Sequence, residues 1–142
     1  MSHTYTASFL SELVNGTHDL DTDVLKMALF SDAVTLSAAT TAYSTTGEAS
    51  GTGYTAGGMT MTLTSGYPQA GAVGTTYDFR FADVEWTSST ITARWALVYN
   101  SSKSNRSILV LDFGRNRQSV SATLAVRFPL TLAPIIRLGA YG

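Results

Sequence analysis

Apolar and polar positions alternate with period two through most of the second half of this chain. Tyr77, Phe79 and Phe81 interleave with Asp78 and Arg80. Ile91, Ala93, Trp95, Leu97 and Tyr99 interleave with Thr92, Arg94, Ala96 and Val98, and Val120, Ala122, Leu124, Val126 and Phe128 with Ser121, Thr123, Ala125 and Arg127. Successive side chains of a strand point to opposite faces, so each run predicts a strand with one face in a core. Ile108 to Phe113 is a short apolar run of strand length. The polar links at Asn100 to Arg106 and Gly114 to Gln118 suit hairpin turns, and Pro129 and Pro134 end the regular pattern.

The first half reads differently. Tyr5, Phe9, Leu10, Leu13 and Val14 recur at helical spacing, which predicts a helix over Thr4 to Asn15, stopped by Asn15-Gly16. Val24 to Phe30 reads as a buried strand. Ser31 to Ala49 is a long Ser/Thr/Ala-rich connection with a short helix suggested at Asp32 to Leu36; connections of this length are usually functional or ordered by a partner. Next comes Ser50-Gly-Thr-Gly-Tyr-Thr-Ala-Gly-Gly58, followed by the alternating segment Met59 to Thr64. Gly51, Gly53 and Ala56 match the spacing G-x-G-x-x-A, but a dinucleotide loop needs a strand before it and a helix after it to hold the pyrophosphate. Here a polar stretch precedes and a strand pattern follows, so the segment is a glycine-rich loop entering a strand, and its role points to assembly.

These elements predict one domain over residues 1–142: a helix at 4–15, a β core at 24–128 and a C-terminal tail at 129–142. The fold class is mainly β, an antiparallel β-sandwich or flattened barrel of about six to eight strands with one N-terminal α-helix. The meander from Tyr77 to Phe128 is its most regular part.

Composition sharpens the picture. Charged residues are 13% of the chain, against roughly 25% in an average domain. Threonine and serine, at 21 and 16 residues, fill the gap. A surface this poor in charge suits a chain covered by partners. Seven of the nine basic residues are arginine, the cation more easily buried at interfaces. The net charge of −1 supplies no field for nucleic acid or an anionic membrane. There is no cysteine, so no thiolate or disulfide chemistry. No apolar stretch approaches the ~20 residues of a membrane-spanning helix, and the N-terminus lacks a signal-peptide pattern, so synthesis in the cytoplasm is expected.

Candidate chemistry is thin. Asp19-Leu-Asp-Thr-Asp23 copies the start of a calcium loop, yet Val24 and Phe30 stand where that loop needs glycine and glutamate. The two histidines, His3 and His18, have no Gly-x-Ser-x-Gly elbow to serve. Asp83 and Glu85 lie on one side of a strand before Trp86, a pattern more often a polar strand face than a glycosidase pair. Trp86, Trp95, Tyr99 and Tyr54 could form a sugar-binding platform if exposed, although Trp95 reads as core. No catalytic residue, cofactor or metal is expected.

Taken in order, the helix ending Asn15-Gly16, the segment Asp19 to Leu29, the glycine loop Ser50 to Gly58, the block Asp83-Val-Glu-Trp-Thr-Ser-Ser-Thr-Ile-Thr-Ala-Arg-Trp-Ala-Leu-Val-Tyr99 and Leu111-Asp-Phe-Gly114 carry a resemblance. From about Phe9 to Phe128 the chain resembles a family of small structural proteins encoded in the morphogenesis regions of tailed bacteriophages and prophages. The resemblance implies a virion component without enzymatic activity. The leading expectation is a capsid decoration, or cement, protein that binds the outside of the head, with the major capsid protein and its own copies, as a homotrimer, for partners. Alternatives are a tail, neck or fibre-base protein and a carbohydrate-binding adhesion module. Expected interface residues are Tyr5, Phe9, Arg94, Arg127, Ile135, Ile136, Arg137 and Leu138, with Ser31 to Ala49 as a further contact element.

Overall fold

The computed structural model describes residues 1–70, 76–127 and 136–139. Among the described residues it is mainly β, with antiparallel sheets, one short helix and no closed barrel. The elements are β1 (Ser2–Tyr5), α1 (Ala7–Val14), β2 (Leu25–Phe30), β3 (Met59–Thr60), β4 (Gln69–Ala70), β5 (Thr76–Phe79), β6 (Val84–Asn100), β7 (Arg106–Val126) and β8 (Ile136–Gly139). A five-stranded sheet has the order β1-β7-β6-β2-β3, and a three-stranded sheet has the order β4-β5-β8.

The long β6–β7 hairpin is the spine. Its turn lies at Asn100 to Arg106, where the sequence placed it, with Asn100 opposite Arg106. The second expected hairpin, at Gly114 to Gln118, does not form. Between the pairs Trp95–Asp112 and Ala93–Arg117, β6 advances two residues while β7 advances five. The polar segment is therefore accommodated as a wide bulge inside one continuous strand, with Gly114 at φ 75°. A bulge twists a strand and exposes its extra residues without ending the pairing.

Both faces of the main sheet are covered. Met27, Leu29, Val98, Leu109 and Leu111 pack on one side with Phe9 of α1, and the same core continues along the hairpin to Trp86, Ile91, Leu124, Phe79 and Phe81. Ala28, Phe30, Leu97, Tyr99 and Val110 face the other side, under Val34, Leu36 and Tyr43. Burial on two faces explains why Leu25 to Phe30 reads as a continuous apolar run. The 31–49 connection is thus ordered by its own chain: its apolar residues roof the sheet, and Tyr43 N–H to Asn105 O (2.9 Å) and Ser107 N–H to Thr41 O (3.0 Å) pin it to the hairpin. The helix suggested at Asp32 to Leu36 is absent; that stretch is turn and extended chain.

Met59 to Thr64 is split between partners. Met59 and Thr60 pair with β2, after which Leu63 bridges Phe81 and Thr64 N–H reaches Arg80 O at 2.8 Å. The segment links the main sheet to the strand that feeds the smaller one. At the N-terminus the expected helix is shorter at its start: Ser2–Tyr5 is a strand on β7, and Thr6, in extended conformation, caps α1 by accepting the Phe9 N–H.

Candidate interaction surface

The shift in the helix start changes which residues face out. Tyr5 belongs to β1 and packs half-buried against Phe9, with ring centroids 6.0 Å apart. Phe9 is 1% exposed. Both were expected at an interface; Phe9 is buried in the core, and Tyr5 is half-buried against it. Leu10 and Val14 take the outward positions, 51% and 89% exposed. A five-residue stripe at helical spacing cannot show which of its edges is buried; the neighbour decides, and here it is β7.

Beneath α1 lies a polar tie that the sequence did not signal. Glu12, His18 and Asn100 are buried. His18 Nε2 lies 2.8 Å from Glu12 Oε2, and Arg106 donates to Glu12 Oε1 at 2.6 Å. Asn100 Oδ1 accepts the Ser102 N–H, which fixes Nδ2 as donor to His18 Nδ1 (3.0 Å) and Asp23 (2.7 Å). His18 Nδ1 is therefore an acceptor, and the ring proton sits on Nε2, facing Glu12. This network joins α1, the link to β2, and the hairpin turn. Asp19-Leu-Asp-Thr-Asp23 is part of it: Asp19 Oδ1 accepts the N–H groups of Asp21 and Thr22, and Asp23 accepts the Asp19 N–H at 2.9 Å. Two of the three carboxylates that resemble calcium ligands, those of Asp19 and Asp23, are closing their own turn.

A second tie holds the glycine loop. Glu48 accepts from Tyr43 Oη, Tyr54 Oη and Gly57 N–H, each at 2.7 Å. Tyr54 Oη in turn accepts the Leu29 N–H, and Tyr99 Oη donates to Gly57 O at 2.7 Å. Tyr43 stacks on Tyr99 with centroids 4.6 Å apart. Burial first, and then the Glu48 carboxylate, push the phenols of Tyr43, Tyr54 and Tyr99 above the usual tyrosine range. The glycines are required by close approach. A Cβ on Gly58 would lie 1.8 Å from Met27 O, and one on Gly51 would lie 2.0 Å from Thr90 O. The loop is a clasp laid on the sheet.

This arrangement removes the aromatic platform. Trp86 is 2% exposed, and Tyr54 is half-buried with its hydroxyl engaged, so neither offers a flat face to a sugar. Trp95, expected in the core, is half-buried at the margin of the cluster under the 31–49 connection.

The arginines separate into two groups. Arg94 was expected to point away from Trp95; instead its guanidinium lies 5.1 Å from that ring, because the bulge between Ala93 and Trp95 interrupts the alternation. It also bonds Asp112 at 3.0 Å. The Gly114 N–H and then Arg94 hold the Asp112 carboxyl below its usual range. Arg127 reaches Glu85 at 3.5 Å on an exposed face, a pair of small energetic weight. Arg115 and Arg117 are exposed on the bulge, with Arg117 over the Phe113 ring at 5.3 Å. Of the expected tail contacts, Ile135 lies outside the described residues. Ile136, Arg137 and Leu138 belong to β8, which pairs with β5; their side chains lie outside the description.

Comparison with protein-family models, with curated proteins and with solved structures returned no match. The functional reading therefore rests on the chain itself.

Proposed function

We propose that this protein is a structural component of a tailed-bacteriophage virion, a decoration protein that binds the outer head surface and bridges capsid subunits. The observation that carries the reading is the outward face of α1. Leu10 and Val14 stand in solvent on a helix whose other face is fixed by Phe9, Leu13 and the Glu12 tie. Apolar side chains held on a rigid element favour docking on a partner surface. The rest of the molecule suits a load-bearing part. Its long connections are tied down by its own polar groups, and Glu12, His18, Glu48 and Asp112 are all engaged between elements. The resemblance to phage morphogenesis proteins implies a virion component, and the decoration reading makes the major capsid protein its partner. Many copies binding only the assembled shell would stabilise it by mass action. The test is co-sedimentation of the purified protein with mature capsids. Wild type should pellet with the capsids, and L10E/V14E should stay in the supernatant while melting like wild type. Equal binding of both proteins would remove α1 from the contact, and no binding by wild type would count against the decoration reading.

A further inference from the structure

We infer that the two edges of the five-stranded sheet form complementary halves of a contact between copies of this chain. On the β1–β7 edge, Ser2, the first residue of β1, pairs with Asp112, and beyond it the β7 bulge carries Arg115 and Arg117 into solvent. Among the described residues neither arginine has a carboxylate within ion-pair distance. The nearby Asp112 is held by Arg94, and Asp32 accepts from Asn116 at 2.9 Å. Val120, further along β7, is 66% exposed. The opposite edge carries exposed carboxylates, with Lys26 of β2 in register with Thr60 of β3. Asp21 is exposed at the tip of its turn and shares a groove of about 240 Å³ with Thr60, Met61 and Thr62 beside β3. Its carboxylate has no ion-pair partner among the described residues. Val24 and Met59, 45% and 41% exposed, stand beside that groove.

Each edge thus combines exposed apolar surface with a net charge: Arg115 and Arg117 outnumber the Asp32 carboxylate on one, Asp19 and Asp21 outnumber Lys26 on the other, and the net signs are complementary. The edges lie on opposite sides of one sheet, so joining them is head-to-tail. Such a contact closes into a ring when the rotation permits. Two arginines in a chain of net charge −1 make a weak footprint for nucleic acid, whose binding scales with the number of phosphates neutralised. The complementary surface is present on every copy. The inference goes beyond the reading above, which concerns the capsid, and builds on the homotrimer expected from the sequence; its test uses no capsid, so its failure would leave capsid binding open.

The experiment is sedimentation velocity of the full chain across a concentration series at low and high salt. Wild type should associate at about 0.01 M NaCl and dissociate at about 1 M, where the screening length falls to about 3 Å. R115E/R117E and D21R should each weaken association roughly tenfold, the effect of losing one or two exposed pairs and adding repulsion. The combined R115E/R117E/D21R chain, with both signs exchanged, should recover most of the loss. Circular dichroism checks folding; if a charge reversal does not fold, R115Q/R117Q and D21N replace it, with smaller weakening expected. A wild-type monomer at every concentration and both salts overturns the inference. Association unchanged in the variants, or no recovery in the combined chain, overturns it too.

Discussion

Replacing Glu48 with leucine should remove about 3 kcal/mol of stability. The side chain accepts three hydrogen bonds, from Tyr43, Tyr54 and Gly57. Bonds to a charged acceptor contribute about 1.5–3 kcal/mol each. Glu48 is half-buried, so the low end applies, and bonds within one network do not add fully. Glu48→Gln should cost less, about 1 kcal/mol, because its remaining oxygen can still accept from Tyr54 and Gly57 while its NH₂ donates to Tyr43. With a urea slope of about 1–3 kcal/mol per molar, Glu48→Leu should lower the midpoint by at least about 1 M. The same site fixes an alkaline limit. The raised phenols keep their protons in the folded state, while those of the unfolded chain ionise near pH 10. Their stabilising contribution is complete below pH ~10 and is lost as pH rises toward the folded values. Linkage allows each tyrosine about 1.4 kcal/mol per pH unit; after discounting the more exposed Tyr43 for solvent screening, the pair should contribute a slope of about 2 kcal/mol per unit. Urea melts at neutral pH and between pH ~10 and ~11 measure both effects. A Glu48→Leu midpoint within about 0.3 M of wild type, or wild-type stability that does not fall between pH ~10 and ~11, would refute the reasoning.

Other predictions follow from single contacts. Gly58→Ala should cost more than about 3 kcal/mol, because it combines a left-handed φ with a Cβ driven into Met27 O, whereas Gly16→Ala, with open space around it, should cost only about 1 kcal/mol in a thermal or urea melt. Glu12→Ala should cost about 2–4 kcal/mol by leaving His18 and Arg106 without their acceptor; ¹⁵N NMR of the wild-type imidazole should show the proton on Nε2. Asp112 has a lowered pKa, so its contribution is present above the unfolded value near pH ~4 and is lost as pH falls through the folded one. Asp112→Asn should therefore flatten the acid limb of the stability–pH curve.

Much of the fold was legible in the sequence because it is written in period-two alternation, and alternation survives wherever one face is buried. The hairpin turn at Asn100 to Arg106 follows from it, the strand Val24 to Phe30 (observed as β2, Leu25–Phe30) follows from a continuous apolar run, and the burial of Trp86, open in the sequence, is decided by the fold. Errors arise where local pattern and tertiary context compete. The polar run Gly114 to Gln118 looks like a turn, but β6 continues alongside it, so the extra residues bulge. Arg94 and Trp95 leave their alternate faces at that same bulge. Tyr5 fits a helical stripe by spacing, yet β7 offers its N-terminal neighbours a strand partner, and Thr6 supplies the cap. The polar ties are the least legible part. Glu48 and Tyr54 are near in sequence, but Glu12 and Arg106 are brought together only by the fold. The apolar exterior of α1 was visible as residues and not as a surface, since Leu10 and Phe9 are equally hydrophobic in sequence.

The measurement that tests the central claim most directly is the copy number of this protein in purified virions, by quantitative mass spectrometry against the major capsid protein. A shell-wide decoration protein should be present at a copy number comparable to that of the capsid protein. A number fitting a single ring or fibre set would place it in the neck or tail, contradicting the decoration role, and absence from the particle would contradict the virion reading itself.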